Sequence, residues 1–139
     1  MNAKDCIGFE DAGCFLGVVG NWDKFSGNAT YLVVLNSPIG RLEGASDILY
    51  IGQSGRFGGD SSSRLWTYCH PTKKNHPTKI TQEDRVMKVV GNLTSNGVTV
   101  SLHVCQEPPD GQTVKEYESQ LLSRYETEHW ELPPCNFQR

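Results

Sequence analysis

The sequence predicts an α+β fold in which helices flank a small three-stranded antiparallel sheet. Three short segments rich in β-branched residues indicate the strands, at residues 30–35, 48–52 and 98–105. Apolar residues at helical spacing lie between the second and third strands and again after the third. The 139 residues, 37% of them hydrophobic, are enough for one domain whose core needs no disulfides.

The first two strands are expected to pair as a long hairpin. Residues 30–35 (T-Y-L-V-V-L) form one apolar run and residues 48–52 (I-L-Y-I-G) form the next, with Pro38 and two glycines between them. In the third strand, apolar and polar residues alternate, which predicts one buried face.

Capping residues predict where the helices begin. One of the serines at 61–63 is expected to cap a short helix at residues 64–69. Thr81 is expected to start a second helix, with apolar residues at 86, 89, 90 and 93. Thr113 and Glu116 form a capping box for a last helix that runs to about residue 129, before two prolines.

The remaining features bound the class of protein. Residues 1–28 are interpreted as an N-terminal extension packed on a domain of residues 29–139. No long apolar segment or signal sequence is visible, so we expect no membrane partner and a cytoplasmic location. Five cysteines without a Cys-x-x-Cys pair favour reduced thiols, and a zinc site at Cys69, His70 and His76 is the alternative.

Charge is distributed unevenly along the chain. The net charge is −3, but residues 53–90 carry seven basic and three acidic residues, which gives +4 there and −7 elsewhere. A basic stretch on an acidic body can steer a polyanion to one face. A solvated, charged loop explains the same residues without a ligand.

One carboxylate of the last helix lies on the side that should face the core. The apolar residues of this helix form one stripe: Val114, Tyr117, Leu121, Leu122 and Tyr125. Glu118 lies about 36° from the centre of the stripe, whereas Glu116 lies roughly 160° away. An inward carboxylate is unfavourable unless it is paired or binds a cation. Arg64, in a structural salt bridge, and a divalent metal ion are both possible partners.

Several short motifs occur in an order that resembles the GIY-YIG endonuclease superfamily. Thr30-Tyr31 and Leu49-Tyr50-Ile51-Gly52 are similar to its paired strand motifs. The likeness continues through Gln53-Ser54-Gly55, Arg64-Leu65, Glu118-x-x-Leu121-Leu122 and Asn136, and so covers residues 29–136. The first motif keeps only its tyrosine, and Gln53 stands where the repair nucleases of this superfamily have lysine.

The resemblance implies a metal-dependent endonuclease that hydrolyses phosphodiester bonds in DNA with one Mg²⁺ or Mn²⁺ ion. Glu118 matches the metal ligand and Arg64 the helix arginine that would stabilise developing charge on the phosphate. Tyr50 is the expected general base, and Tyr31 would position the water or share its proton. The remaining matched positions are Tyr68, which would contact a phosphate or a metal-bound water, and Asn136.

Two loops, at residues 54–63 and 70–80, flank Arg64 and are expected to contact the DNA backbone or groove. Their DNA-binding candidates are Arg56, Lys73, Lys74, His76 and Lys79. Cutting both strands with one active site per chain would favour a homodimer. The expected biological class is a free-standing restriction-type or phage or mobile-element nuclease.

Other interpretations stay open at this point. Taken singly, Tyr31 and Tyr50 are ordinary core residues of strands, and Arg64 is an ordinary surface charge. A nucleic-acid-binding module with the same fold but no catalysis is the main alternative function. A third hypothesis is an unrelated hydrolase that uses Cys69 or Cys105 with a histidine.

Overall fold

The computed structural model describes residues 1–70 and 81–137, and it has the α+β class that the sequence predicts. The strands are β1 (Glu10–Cys14), β2 (Ala29–Gly40), β3 (Ala45–Ser54) and β4 (Val100–Cys105). The helices are α1 (Phe15–Gly20), α2 (Arg64–Cys69), α3 (Gln82–Ser95) and α4 (Val114–His129). Single 3₁₀ turns occur at Ala3–Asp5, Trp22–Lys24 and Pro109–Gly111.

In the described part of the chain, the sheet has four strands in the order β1-β4-β2-β3, and all neighbouring strands are antiparallel. The expectation of three strands was therefore wrong. The fourth strand, β1, comes from the N-terminal segment and pairs with β4, where Glu10 lies opposite Val104. Its sequence, E-D-A-G-C, is mostly exposed at the sheet edge, so it lacks the apolar alternation by which a strand is recognised.

The core lies on both faces of β2. Tyr31, Val33 and Leu35 pack with the apolar residues of α1, α2 and α3 on one face. Leu32 and Val34 pack with α4 on the other. Burial on both faces explains why residues 30–35 form a continuous apolar run instead of alternating.

Helices α2, α3 and α4 begin where the capping residues predict, whereas α1 was not predicted and has no side-chain cap. Ser63 accepts a hydrogen bond from the backbone N–H of Trp66 at the start of α2, and Thr81 accepts one from Asp84 at the start of α3. Thr113 and Glu116 form the predicted capping box of α4. The caps therefore set where these helices begin, and the apolar residues at helical spacing set which side of each helix packs on the core.

An irregularity in β3 sets the direction of Tyr50. Val33 pairs with Tyr50 but Val34 pairs with Ile48, so β3 carries one extra residue, Leu49, at this point. As a result, Leu49 and Tyr50 both join the core beneath α2 and α3, while Ile51 packs on the side of α4. The bulge therefore brings the Tyr50 ring towards α2.

Candidate active site

A polar cleft of about 200 Å³ lies beside β3, at the edge of the sheet. Its walls come from β3, α2, α3, α4 and the segment after α4. Four of the six predicted catalytic residues share this space, together with three residues that the sequence did not assign to the site. The lining residues are Tyr50, Gln53, Arg64, Gln82, Glu118, Leu122 and Asn136.

Two larger clefts, of about 480 and 370 Å³, lie near β1 and α1. Neither contains a predicted catalytic residue, and the larger is lined by the acidic residues Glu10, Asp11 and Glu107. Volume alone therefore does not identify the predicted site, because the predicted residues line the smaller cleft beside β3.

Gly52 lets two tyrosines approach each other at the floor of the cleft. Tyr31 lies opposite Gly52 in the β2–β3 register. A Cβ at Gly52 would lie 2.5 Å from Cζ of Tyr31 and 2.7 Å from Cε2 of Tyr50. Both rings therefore fit only because residue 52 has no side chain, which gives the glycine of the Tyr-Ile-Gly segment a steric role.

Tyr31 and Tyr68 lie behind Tyr50, away from solvent. Their hydroxyl groups are 2.8 Å apart and hydrogen bonded, and the two side chains are 0% and 1% exposed. The ring of Tyr31 is centred 6.1 Å from that of Tyr50 and 6.3 Å from that of Tyr68. Of the three phenols, only Tyr50 lines the cleft itself.

Burial raises the pKa of all three tyrosines well above the ordinary value. For Tyr50, the neighbouring Tyr31 and Glu118 raise the pKa further, and Arg64 lowers it in part. Arg64 acts in the same direction on Tyr31 and Tyr68. In the protein without a bound cation, the three side chains are therefore neutral phenols that donate and accept hydrogen bonds.

Glu118 faces the cleft from the inner side of α4, as its helical position predicts. Burial raises the pKa of this half-buried carboxyl group, and Arg64 and Lys115 counteract part of that effect. The salt bridge considered from the sequence is not formed, because the ion pair of Arg64 is with Glu83. Within residues 1–70 and 81–137, Glu118 has no direct ion pair or hydrogen bond.

Arg64 is the first residue of α2 and reaches the cleft with its guanidinium group. Its partner Glu83 lies in the first turn of α3. The arginine side chain is 31% exposed and that of the glutamate 14%. The sequence did not single out Glu83, because an acidic residue in the first turn of a helix is explained by the helix dipole alone.

Asn136 lines the cleft, but its amide is bonded to the backbone of β3. Its Oδ1 accepts from the N–H of Ile51 at 3.1 Å, and its Nδ2 donates to the carbonyl of Ile51 at 3.0 Å. The N–H of Cys135 also donates to the carbonyl of Leu49. The segment after α4 thus pairs with the outer edge of β3 on both sides of Tyr50, which gives Asn136 a structural role.

Among the described residues that line the cleft, Glu118 is the side chain suited to hold a divalent cation. No group of three histidine, cysteine or acidic side chains suited to a metal ion occurs in the described part of the chain. Glu118 is half-buried and has no direct partner in residues 1–70 and 81–137, and its carboxylate is a hard oxygen ligand of the kind that Mg²⁺ prefers. Mg²⁺ often binds proteins through one or two carboxylates and takes its other ligands from water and substrate phosphate.

The predicted DNA-contacting residues are only partly described. Arg56 is exposed in the loop before α2 and donates a hydrogen bond to Oγ of Ser62. Its carbonyl accepts from the N–H of Arg64 at 2.9 Å, so the two arginines lie in adjoining backbone. The other four candidates, Lys73, Lys74, His76 and Lys79, lie outside the described residues, as does one member of the alternative zinc site, His76.

The two thiols of the hydrolase hypothesis have the wrong surroundings for a nucleophile. Cys105 is buried, and Cys69 donates a hydrogen bond to the carbonyl of Val19 at 3.1 Å. Burial raises the pKa of both thiols. Since the thiolate is the reactive form, this favours inert cysteines.

Comparisons with known proteins do not assign the chain to a family. No family model matches it, and neither the curated proteins nor the solved structures include a match. Among the described residues, no helix is long and apolar enough to cross a membrane. The residues of the cleft therefore carry the functional argument.

Proposed function

We propose that this chain is a divalent-metal-dependent DNA endonuclease of the GIY-YIG type. The observation that carries the proposal is the convergence of Tyr50, Arg64 and Glu118 on one cleft. Tyr50 belongs to β3, Arg64 to α2 and Glu118 to α4, so three separate elements supply these side chains. A phenol, a guanidinium group and a carboxylate that has no direct partner among the described residues suit phosphodiester hydrolysis better than a structural role.

Arg64 would neutralise charge on the scissile phosphate. Its guanidinium group is permanently charged and matches the geometry of phosphate oxygens. Because the cleft is partly shielded from water, a charge placed there acts more strongly than at an open surface. Arg56, in the adjoining loop, would extend the contact along the DNA backbone.

Glu118 would hold the divalent cation. Such a cation would stabilise negative charge on the leaving oxygen and on the phosphate. The ionised Glu118 raises the pKa of Tyr50, so neutralising this carboxylate would remove one obstacle to the phenolate. Tyr50, after losing its phenolic proton to solvent, would then accept a proton from the attacking water as a phenolate, while Tyr31, which is hydrogen bonded to Tyr68, supports its ring.

A cleavage assay tests this assignment. Supercoiled plasmid would be incubated with the protein in Mg²⁺ and in excess chelator, and cleavage is expected only with Mg²⁺. Tyr50→Phe removes the hydroxyl group and is expected to slow cleavage by roughly a hundredfold or more, as for loss of a general base. Chelator-resistant cleavage, or a fully active Tyr50→Phe variant, would contradict the proposal.

A second candidate is a nucleic-acid-binding module that has the same fold but does not cleave. Gln53 supports it, because an amide lines the cleft where related repair enzymes carry a lysine. The raised pKa of Tyr50 supports it as well, since a phenol that stays protonated is a poor base. Under this alternative, DNA binds without cleavage at any Mg²⁺ or Mn²⁺ concentration.

A further inference from the structure

Arg64 interacts with two carboxylates that belong to different helices. Its guanidinium group pairs directly with Glu83, the second residue of α3. Glu118 of α4 faces the same cleft as Arg64 and has no direct partner among the described residues. The side chain of Glu83 is more buried than that of Arg64, so Glu83 can hold the end of the long and otherwise flexible Arg64 side chain in place.

The position of Arg64 affects Glu118 because the two side chains interact across the cleft. The arginine charge already counteracts part of the rise in the pKa of this carboxyl group. Glu118 is also the one acidic side chain among the described residues that line the cleft. A guanidinium group released from Glu83 would therefore meet Glu118 as its new partner, and a bidentate pair would occupy both carboxylate oxygens.

We propose that Glu83 is a positioning residue, which holds Arg64 away from Glu118 and leaves that carboxylate open to a divalent cation. The inference rests on the proposed function, because it assumes that Glu118 binds the metal ion. Glu83 itself touches neither metal nor substrate, and it acts through Arg64. The same ion pair leaves the other N–H groups of the guanidinium free to face a phosphate.

Binding of Mn²⁺ alone, followed by electron paramagnetic resonance without DNA, tests this role. Glu83→Gln is expected to weaken Mn²⁺ binding roughly tenfold or more, as is usual for residues that support a metal ligand. The double variant Glu83→Gln/Arg64→Met is expected to bind Mn²⁺ as tightly as the Arg64→Met single variant, since no guanidinium group is left to pair with Glu118. Restoration distinguishes an effect through Arg64 from general damage to the site.

Asp84→Asn is the matched control, because it removes one negative charge from the same turn of α3 without touching the Arg64 ion pair. It is expected to leave Mn²⁺ binding nearly unchanged. Glu83→Asp keeps the charge and is expected to bind Mn²⁺ like the parent, which covers the case in which Glu83→Gln folds poorly. Thermal unfolding followed by circular dichroism verifies the fold of each variant.

Three results would overturn the role of Glu83: no weakening by Glu83→Gln, equal weakening by Glu83→Gln and Asp84→Asn, or a double variant that stays weak. Glu118→Gln separates this failure from failure of the proposed function. If Glu118→Gln abolishes Mn²⁺ binding while Glu83→Gln does not weaken it, only the role of Glu83 is lost. If Glu118→Gln still binds Mn²⁺, the metal site and the inference both fail.

Discussion

At the residue scale, Glu118 links the stability of the fold to the proposed chemistry. Its position along α4 places it inside the apolar stripe, and it lies half-buried in the cleft without a direct partner among the described residues. Burial raises its pKa, so the ionised form is less stable in the folded protein than in the unfolded chain. The carboxylate therefore destabilises the metal-free fold.

This effect predicts a pH-dependent gain in stability for Glu118→Gln. Below a pH of about 4, the carboxyl group is protonated in both states and the substitution should change little. As the pH rises, the unfolded chain loses this proton before the folded protein does, so the parent loses stability through that window and stays less stable above it. Glu118→Gln should then have the larger free energy of unfolding near neutral pH.

Urea unfolding at acidic and neutral pH, in chelator, measures this difference. If Glu118→Gln raises the free energy of unfolding equally at both pH values, or lowers it at neutral pH, the assignment of a destabilising carboxylate is contradicted.

Gly52 is the second residue whose effect can be predicted alone. A methyl group there would overlap both Tyr31 and Tyr50, and these rings are held by the core around them. Gly52→Ala is therefore expected to lower the free energy of unfolding by about 1–3 kcal/mol, the usual range for overpacking. It should also reduce cleavage, because Tyr50 must move.

Gly91→Ala is the matched control for this substitution. A Cβ at Gly91 meets nothing within 4 Å, and the residue lies inside α3. The same glycine-to-alanine change should raise the free energy of unfolding here by up to about 1 kcal/mol. Denaturant unfolding of both variants gives the comparison, and a stable Gly52→Ala protein would show that the two rings are not tightly constrained.

At the element scale, the bond between Tyr31 and Tyr68 joins α2 to the sheet. The two hydroxyl groups are 2.8 Å apart in a buried position. Tyr68→Phe removes one partner and is expected to lower the free energy of unfolding by about 1 kcal/mol.

A double-mutant cycle with Tyr31→Phe measures this bond directly. The double variant should lose less free energy of unfolding than the two single variants lose together, because the contact can be lost only once. Additive losses, measured by urea unfolding, would indicate that the two hydroxyl groups do not depend on each other.

Elements with a local chemical signal could be predicted from the sequence. Thr81 and Thr113 bond to backbone N–H groups within their own helix turns, so the residue types alone indicate the helix starts. The apolar run at 30–35 likewise identifies β2. By contrast, β1 is an exposed edge strand that exists through its pairing with β4, and a tertiary contact of this kind leaves no periodic signal.

At the scale of the whole molecule, the cleft joins segments that are more than eighty residues apart, such as Ile51 and Asn136. The inward position of Glu118 could be predicted, because helix geometry fixes it. The ion pair of Arg64 with Glu83 could not, since it depends on how α2 and α3 pack. The amide pairing of Asn136 with β3 could not be predicted either, because it depends on where the segment after α4 meets the sheet.

The most direct test of the account is the Mg²⁺-dependent cleavage rate of Glu118→Gln compared with Glu116→Gln. Both remove one charge from α4, and glutamine at 116 still supports the capping box. We predict that Glu118→Gln cleaves plasmid DNA at least about a hundredfold more slowly, which corresponds to a loss of roughly 3 kcal/mol in transition-state stabilisation. Glu116→Gln should cleave like the parent. Equal rates for the two variants would contradict the claim that Glu118 holds a catalytic cation.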